Sequence, residues 1–251
     1  MYFYIYDSFL SDKKYDKILA KIENRLANLE INGKIIRISK LKSLKDNITE
    51  EIEKGAINII AVGDDETILK VINVIADYNV IFGIIPVGYK INIAKLLGIP
   101  YAEEACDVLS SRRITKIDLG KVNNRYFISD VSLRDDNFEI LCDGKYTVIP
   151  INGNNVKICN LGNQIDESDK EHFNPSDGFL EVIVQEKFSV INRMLKKKQG
   201  TKSIFPIKEA RITSSKSLPV AIDSQTIFKT PLDINIVPQK LKIIVGNGRI
   251  F

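Results

Sequence analysis

The 251-residue chain has no tryptophan, one histidine and three cysteines. None of its apolar runs approaches the roughly 20 residues that a bilayer-spanning helix needs. Cys106, Cys142 and Cys159 are odd in number and widely spaced, which excludes a disulfide framework and the paired CxxC ligands of a zinc site. A reducing cytoplasm is the compartment that fits. His172 lies in a polar stretch with no cysteine or carboxylate pair at nucleophile or metal spacing, so it is given no catalytic role. Neither GxxxxGK(S/T) nor GxGxxG occurs, which argues against P-loop enzymes and ordinary dehydrogenases. The opening MYFYIYDSFLSDKKYDK has no basic leader and reads as a first strand rather than a signal peptide.

An excess of one charge is missing too. The 36 basic and 32 acidic side chains leave a net charge of +4 spread along the sequence. That excludes a specific nucleic-acid interface and leaves, at most, peripheral contact with a membrane. What is present is ordinary: 44% apolar and 8% aromatic residues suit one large domain or two modest ones.

Over the first hundred residues, apolar β-branched runs alternate with segments of helical period. Tyr2 to Tyr6, Lys34 to Ile38, Ile57 to Val62 and Val80 to Ile85 are expected strands. Tyr15, Ile18, Leu19, Ile22, Leu26 and Leu29 make one apolar helical stripe, and residues 42–54 and 66–77 are further helices. Apolar strands separated by helices predict a parallel sheet covered on both faces, with ligands outside the carboxyl ends of its strands. From about residue 113 the texture changes to closely spaced strands: Ile114 to Val122, Tyr126 to Leu133, Phe138 to Leu141, Tyr146 to Ile149, Val156 to Leu161, Phe179 to Gln185, Glu209 to Thr213, Leu232 to Val237 and Leu241 to Val245. These predict an antiparallel sandwich, interrupted by a helix at about 190–198 that ends in Lys196, Lys197 and Lys198, read as a solvated helix end. The expected organisation is an α/β nucleotide-binding-like domain over 1–112 and a β-sandwich over 113–251, the closing strands being candidates to return to the first domain.

Two loops follow the strongest parallel strands. Gly63-Asp64-Asp65-Glu66-Thr67 leads into ILKVINV, and Pro86-Val87-Gly88-Tyr89-Lys90-Ile91-Asn92 leads into IAKLLGIP. Together they resemble the catalytic domain of the diacylglycerol kinase group, which includes sphingosine and ceramide kinases and is distantly related to NAD kinases. That family reads GGDGT before LNEVING, and PLGTGNDFAR before a stretch closing in LGIP. Ile117-Asp118-Leu119-Gly120 is similar to its IDLG strand, Asn174 to Val182 to its PxDGxLEV turn, and Ala221-Ile222-Asp223-Ser224-Gln225 to its strand ending in DGE. Thr230 to Ile234 and Val237 to Leu241 are similar to its closing strands.

The resemblance implies the two-domain fold, an active site in the cleft between the domains, and ATP with Mg²⁺ as co-substrate and cofactor. A lipid hydroxyl, such as that of diacylglycerol, would accept the phosphoryl group. By residue, it implies nucleotide contacts from Gly63, Asp64, Asp65, Glu66, Thr67, Gly88, Tyr89 and Lys90, a metal network at Asp65, Asn92 and Asp118 with Asp223, and the general base at Gln225.

Several of those positions depart from the family pattern. Asp64 and Glu66 replace loop glycines whose backbone N–H groups approach phosphate. At ~5 Å each carboxylate would repel a phosphate charge by ~1 to 3 kcal/mol. Asn92 replaces an aspartate of the metal network. Gln225 replaces the glutamate that takes the proton from the lipid hydroxyl, and loss of a positioned base costs ~10²- to 10⁴-fold in rate. Tyr89 and Ile91 are read as packing residues that fill the former phosphate pocket. After Ser132-Leu133 the chain lacks the family's helical insertion, which implies a smaller acyl pocket. Three readings stand: a weakened or inactive lipid kinase, a non-catalytic binding or assembly module on the same fold, and an active kinase with a changed substrate such as NAD. A homodimer is left open.

Overall fold

The computed structural model describes residues 1–39, 43–135, 137–150, 155–162, 174–185, 202–224 and 226–251. They form two compact units, Met1–Ile117 with Gln239–Phe251, and Asp118–Pro238.

In the first unit the elements follow in order: β1 (Tyr2–Tyr6), α1 (Asp16–Asn28), β2 (Gly33–Arg37), α2 (Leu44–Glu53), β3 (Asn58–Gly63), α3 (Asp65–Ile75), β4 (Ile81–Pro86), α4 (Asn92–Leu96) and α5 (Glu104–Ser111). Parallel pairing gives the order β2-β1-β3-β4. Every residue of β3 is buried, as a strand covered on both faces requires. By contrast β2, read as another buried strand, is the exposed edge of the sheet, with Lys34 and Arg37 along it. Charge on an unpaired edge discourages pairing with other chains. The register sets Tyr6 against Val62 and Gly63 against Pro86, so the segments following β1, β3 and β4 all leave from the carboxyl ends of their strands. That end is where α/β sheets hold ligands.

The chain continues through β5 (Ile114–Val122) to β6 (Arg125–Phe127), β7 (Asp130–Leu133), β8 (Phe138–Cys142), β9 (Tyr146–Val148), β10 (Asn155–Cys159), β11 (Leu180–Gln185), β12 (Lys202–Ile207), β13 (Glu209–Ser214), β14 (Pro219–Ile222), β15 (Thr226–Lys229) and β16 (Leu232–Ile244). In the second unit β12-β11-β10-β7-β14-β15 form one antiparallel sheet, and the start of β16 with β13, β8 and β9 forms another. A core that includes Phe127, Val131, Ile140, Ile158, Val182 and Ile212 belongs to this unit.

The structure corrects the sequence reading at two strands. Tyr126 to Leu133 is not continuous: β6 ends at Phe127 and β7 begins at Asp130, because a buried carboxylate takes the intervening N–H groups. The two closing segments are one strand, β16. Pro238 lies between the residues of β16 that pair with β13 and Lys242 and Ile243, which pair with β4, and Gln239 beside it has φ 49°. The helices α4 and α5 and the strands β12 and β15 were not anticipated. The helix expected at 190–198 lies outside the described residues. All three cysteines are buried, and burial pushes the Cys106 thiol up to about 12 and that of Cys142 to about 11, so these two are not thiolates at neutral pH.

Candidate active site

Gly63 ends β3 at a point where a Cβ would run into the side chain of Thr67. Asp64 follows in extended conformation and caps α3. Its Oδ1 accepts from Glu66 N–H at 3.1 Å and Thr67 N–H at 3.2 Å. These are the amides with which a helix N-terminus meets an anion, and here the chain's own carboxylate occupies them. Thr67 Oγ1 donates to Asp7 Oδ2 at 2.6 Å, a buried bond that ties the end of β1 to the start of α3. Sequence reasoning missed Asp7; its only signal is its place directly after a buried strand. Glu66 points outward and pairs with Lys70 at 2.7 Å.

Asp65 is buried, and both of its oxygens accept from the second loop: Asn92 N–H at 2.9 Å and Ile93 N–H at 3.0 Å. Its own N–H donates to Lys90 C=O at 2.8 Å. Burial raises its pKa, against the two N–H donors that favour the ionised form. Gly88 has φ 118°, a conformation that favours glycine, and a Cβ there would press on the ring of Phe9 at 3.3 Å. Tyr89 is 91% exposed, which overturns its expected role as a packing residue in the old phosphate pocket. Ile91 is half-buried, and Lys90 and Asn92 are exposed. The loop packs through Gly88 and the α4 residues Ile93 and Ala94, while Tyr89, Lys90 and Asn92 face water.

In the second unit Asp118 is fully buried. Its Oδ2 accepts from Gly178 N–H at 2.7 Å and its N–H donates to Pro175 C=O at 2.6 Å, which holds the Pro-Ser-Asp-Gly turn. Asn160, also missed from sequence, donates to the carbonyls of Asp118 at 2.9 Å and Ile128 at 3.0 Å. Asp223 accepts three consecutive N–H groups, from Ile128 at 3.2 Å, Ser129 at 2.7 Å and Asp130 at 3.2 Å. Burial pushes its carboxyl up to about 7 despite these donors. Gln225, at the position of the family's base, lies outside the described residues, as do His172 and the lysines at 196–198.

Thus Asp65, Asp118 and Asp223, which the resemblance assigns to a magnesium network, each hold backbone N–H groups. Each oxygen of Asp65 already accepts one backbone N–H, and Asn92 brings an amide in place of a charge, so this loop offers a divalent cation less negative charge than the family's pair of carboxylates. Among the described residues no group of three His, Cys, Asp or Glu side chains is close enough to hold a metal ion. Nor is any described helix long and apolar enough to cross a membrane.

Asp223 and Ser224 have φ 50° and 59°, so two side-chain-bearing residues sit in the left-handed region where the related motif has glycine second. Ser224→Gly is expected to raise the unfolding free energy by about 1 kcal/mol, read as a higher urea midpoint at unchanged m value.

Comparison with known proteins is consistent with this geometry. Residues 2–122 match the family model described as "Diacylglycerol kinase catalytic domain". A protein named "Putative lipid kinase" from Staphylococcus aureus (strain MSSA476) is 24% identical over 254 residues, covering 82% of this chain and 83% of the relative. The protein of the same name from strain Newman matches to the same extent. Among solved structures, one described as a putative diacylglycerol kinase from Bacillus anthracis str. Sterne superimposes with a TM-score of 0.78 at 18% identity, covering 98% of this chain and 97% of that one.

Proposed function

We propose, for a chain that belongs through residues 2–122 to the diacylglycerol kinase catalytic-domain family, a lipid-kinase homologue in which phosphoryl transfer is weak or lost. Family membership implies ATP, a divalent metal and a lipid substrate in general terms. The observation that carries the finer reading is Asp64, whose carboxylate accepts the Glu66 and Thr67 N–H groups at the start of α3.

A phosphate group directed to those amides would have to displace an N-cap worth about 1 kcal/mol. It would also face Coulomb repulsion of about 1 to 3 kcal/mol from Asp64, the charge of Glu66 being paired with Lys70. Together these come to about 2 to 4 kcal/mol, a loss of roughly 30- to 1,000-fold in affinity. The amide of Gln225 cannot accept a proton from an attacking hydroxyl, and phosphoryl transfer has little else to lean on once positioning and charge neutralisation are impaired.

Calorimetric titration with ATP, with and without Mg²⁺, tests the reading. The unaltered protein is expected to show no binding tighter than millimolar, and Asp64→Gly/Glu66→Gly to bind ATP at least tenfold more tightly. Micromolar, Mg²⁺-dependent binding by the unaltered protein would overturn the proposal.

A further inference from the structure

The second unit carries a groove on its six-stranded sheet. Strand pairing aligns Ile227 with Ala221, Ala221 with Ser132, Ser132 with Lys157, Lys157 with Ile183, and Ile183 with Ile204. Residues paired directly across strands project to the same face, so these six form one row across β15, β14, β7, β10, β11 and β12. At neighbour spacings of about 4.8 Å the row runs about 24 Å. Its two ends are apolar and its middle is polar.

Over the β15 end lies a concavity of about 400 Å³, lined by Ser132, Arg134, Leu218, Pro219, Ala221 and Ile227 among others. A smaller hollow of about 70 Å³, toward Lys157 and Ile183, shares Ser132 and Arg134 with it. The larger volume falls in the usual range for small-molecule sites, where apolar walls supply burial and a few polar groups fix orientation. Ile227 is 70% exposed on the open side.

The charges in the groove are unequal in what they have left to offer. Lys157 Nζ is paired with Asp130 Oδ2 at 3.2 Å. Asp135 Oδ1 accepts from Asn137 N–H at 2.9 Å. Arg134 stands two residues after Ser132 at the junction of the two hollows, is exposed, and makes no ion pair or hydrogen bond among the described residues. A guanidinium free on one side of an apolar wall matches a carboxylate or phosphate that carries a hydrocarbon chain.

We infer that this groove binds a single-chain anionic amphiphile, with its head on Arg134 and its chain along Leu218, Pro219, Ala221 and Ile227. The inference needs neither nucleotide nor turnover, so it stands or falls separately from the fate of the kinase reaction.

The test is displacement of a dansylated undecanoate probe from the full-length protein, without ATP, by oleate, by oleoyl lysophosphatidate and by monooleoylglycerol, each below its aggregation threshold. The two anions are expected to displace the probe at least tenfold more effectively than the neutral glyceride, and their ratio tells a fatty carboxylate from a phosphate head. Arg134→Gln should remove that preference by weakening the anions about tenfold while leaving the glyceride unchanged. Ile227→Asp should weaken all three. Both side chains are exposed, so circular dichroism and the melting temperature should match the unaltered protein. Equal displacement by anionic and neutral ligands, an unchanged preference in Arg134→Gln, or no probe binding at all would overturn the inference.

Discussion

Replacing Asp223 by alanine is expected to lower the unfolding free energy by about 3 to 5 kcal/mol. The change removes one side chain but leaves three consecutive N–H groups, of Ile128, Ser129 and Asp130, with no acceptor. Each buried donor left unpaired costs about 1 to 3 kcal/mol, and Ile128 and Asp130 are both buried. The break between β6 and β7 exists because this carboxylate stands in for strand pairing there. Asp223→Asn, which keeps one oxygen acceptor but turns an amide N–H toward a donor, should lose about half as much. Urea denaturation at constant pH reads both changes as midpoint shifts. A loss below about 1 kcal/mol in the alanine variant would show that the N–H groups find other partners and that Asp223 is not structural.

Stability is also expected to fall as pH rises from about 5 to about 9, with Glu181 as the largest single contributor. Burial in β11, with Asp177 nearby as the lesser cause, pushes its carboxyl up to about 8 from an ordinary 4.5. Its Oε2 is buried without a hydrogen-bond partner among the described residues. Between those two pH values the folded chain holds a proton at Glu181 that the unfolded chain releases. The stabilisation is therefore complete below about 4.5 and is lost as pH rises through about 8. Allowing for the part of the side chain that water still reaches, the effect is about 2 kcal/mol. Asp223, pushed up to about 7, and Asp65, also raised, act in the same direction. Glu181→Gln keeps the shape, cannot ionise, and should flatten the profile by that amount without abolishing the slope. A profile that rises through this window, or one identical in the glutamine variant, would contradict the assignment.

The sequence by itself determined the two textures of the chain and its resemblance to the diacylglycerol kinase catalytic domain. Buried β-branched runs at β3 and β4, an amphipathic stripe in α1 and closely spaced strands after residue 113 follow from periodicity, which reports which faces meet a core. It also placed Asp64, Asp65 and Gly88 directly after β3 and β4, because a strand, a turn and a helix in immediate succession leave few ways for the chain to run. What it could not say is where those side chains point.

Asp64 faces its own helix rather than a ligand, and Tyr89 faces water rather than a vacated pocket; both depend on rotamers and on neighbours brought from β1 and α4. Asp7, Asn160 and Arg134 carry no motif, since their significance comes from partners, or the lack of them, far away in sequence. Pro238 reads locally as a strand break, yet β16 runs through it from Leu232 to Ile244, pairing with β13 before it and with β4 after it. Local chemistry decides which elements form. Long-range pairing decides which polar groups are already satisfied, and hence which remain available to bind anything else.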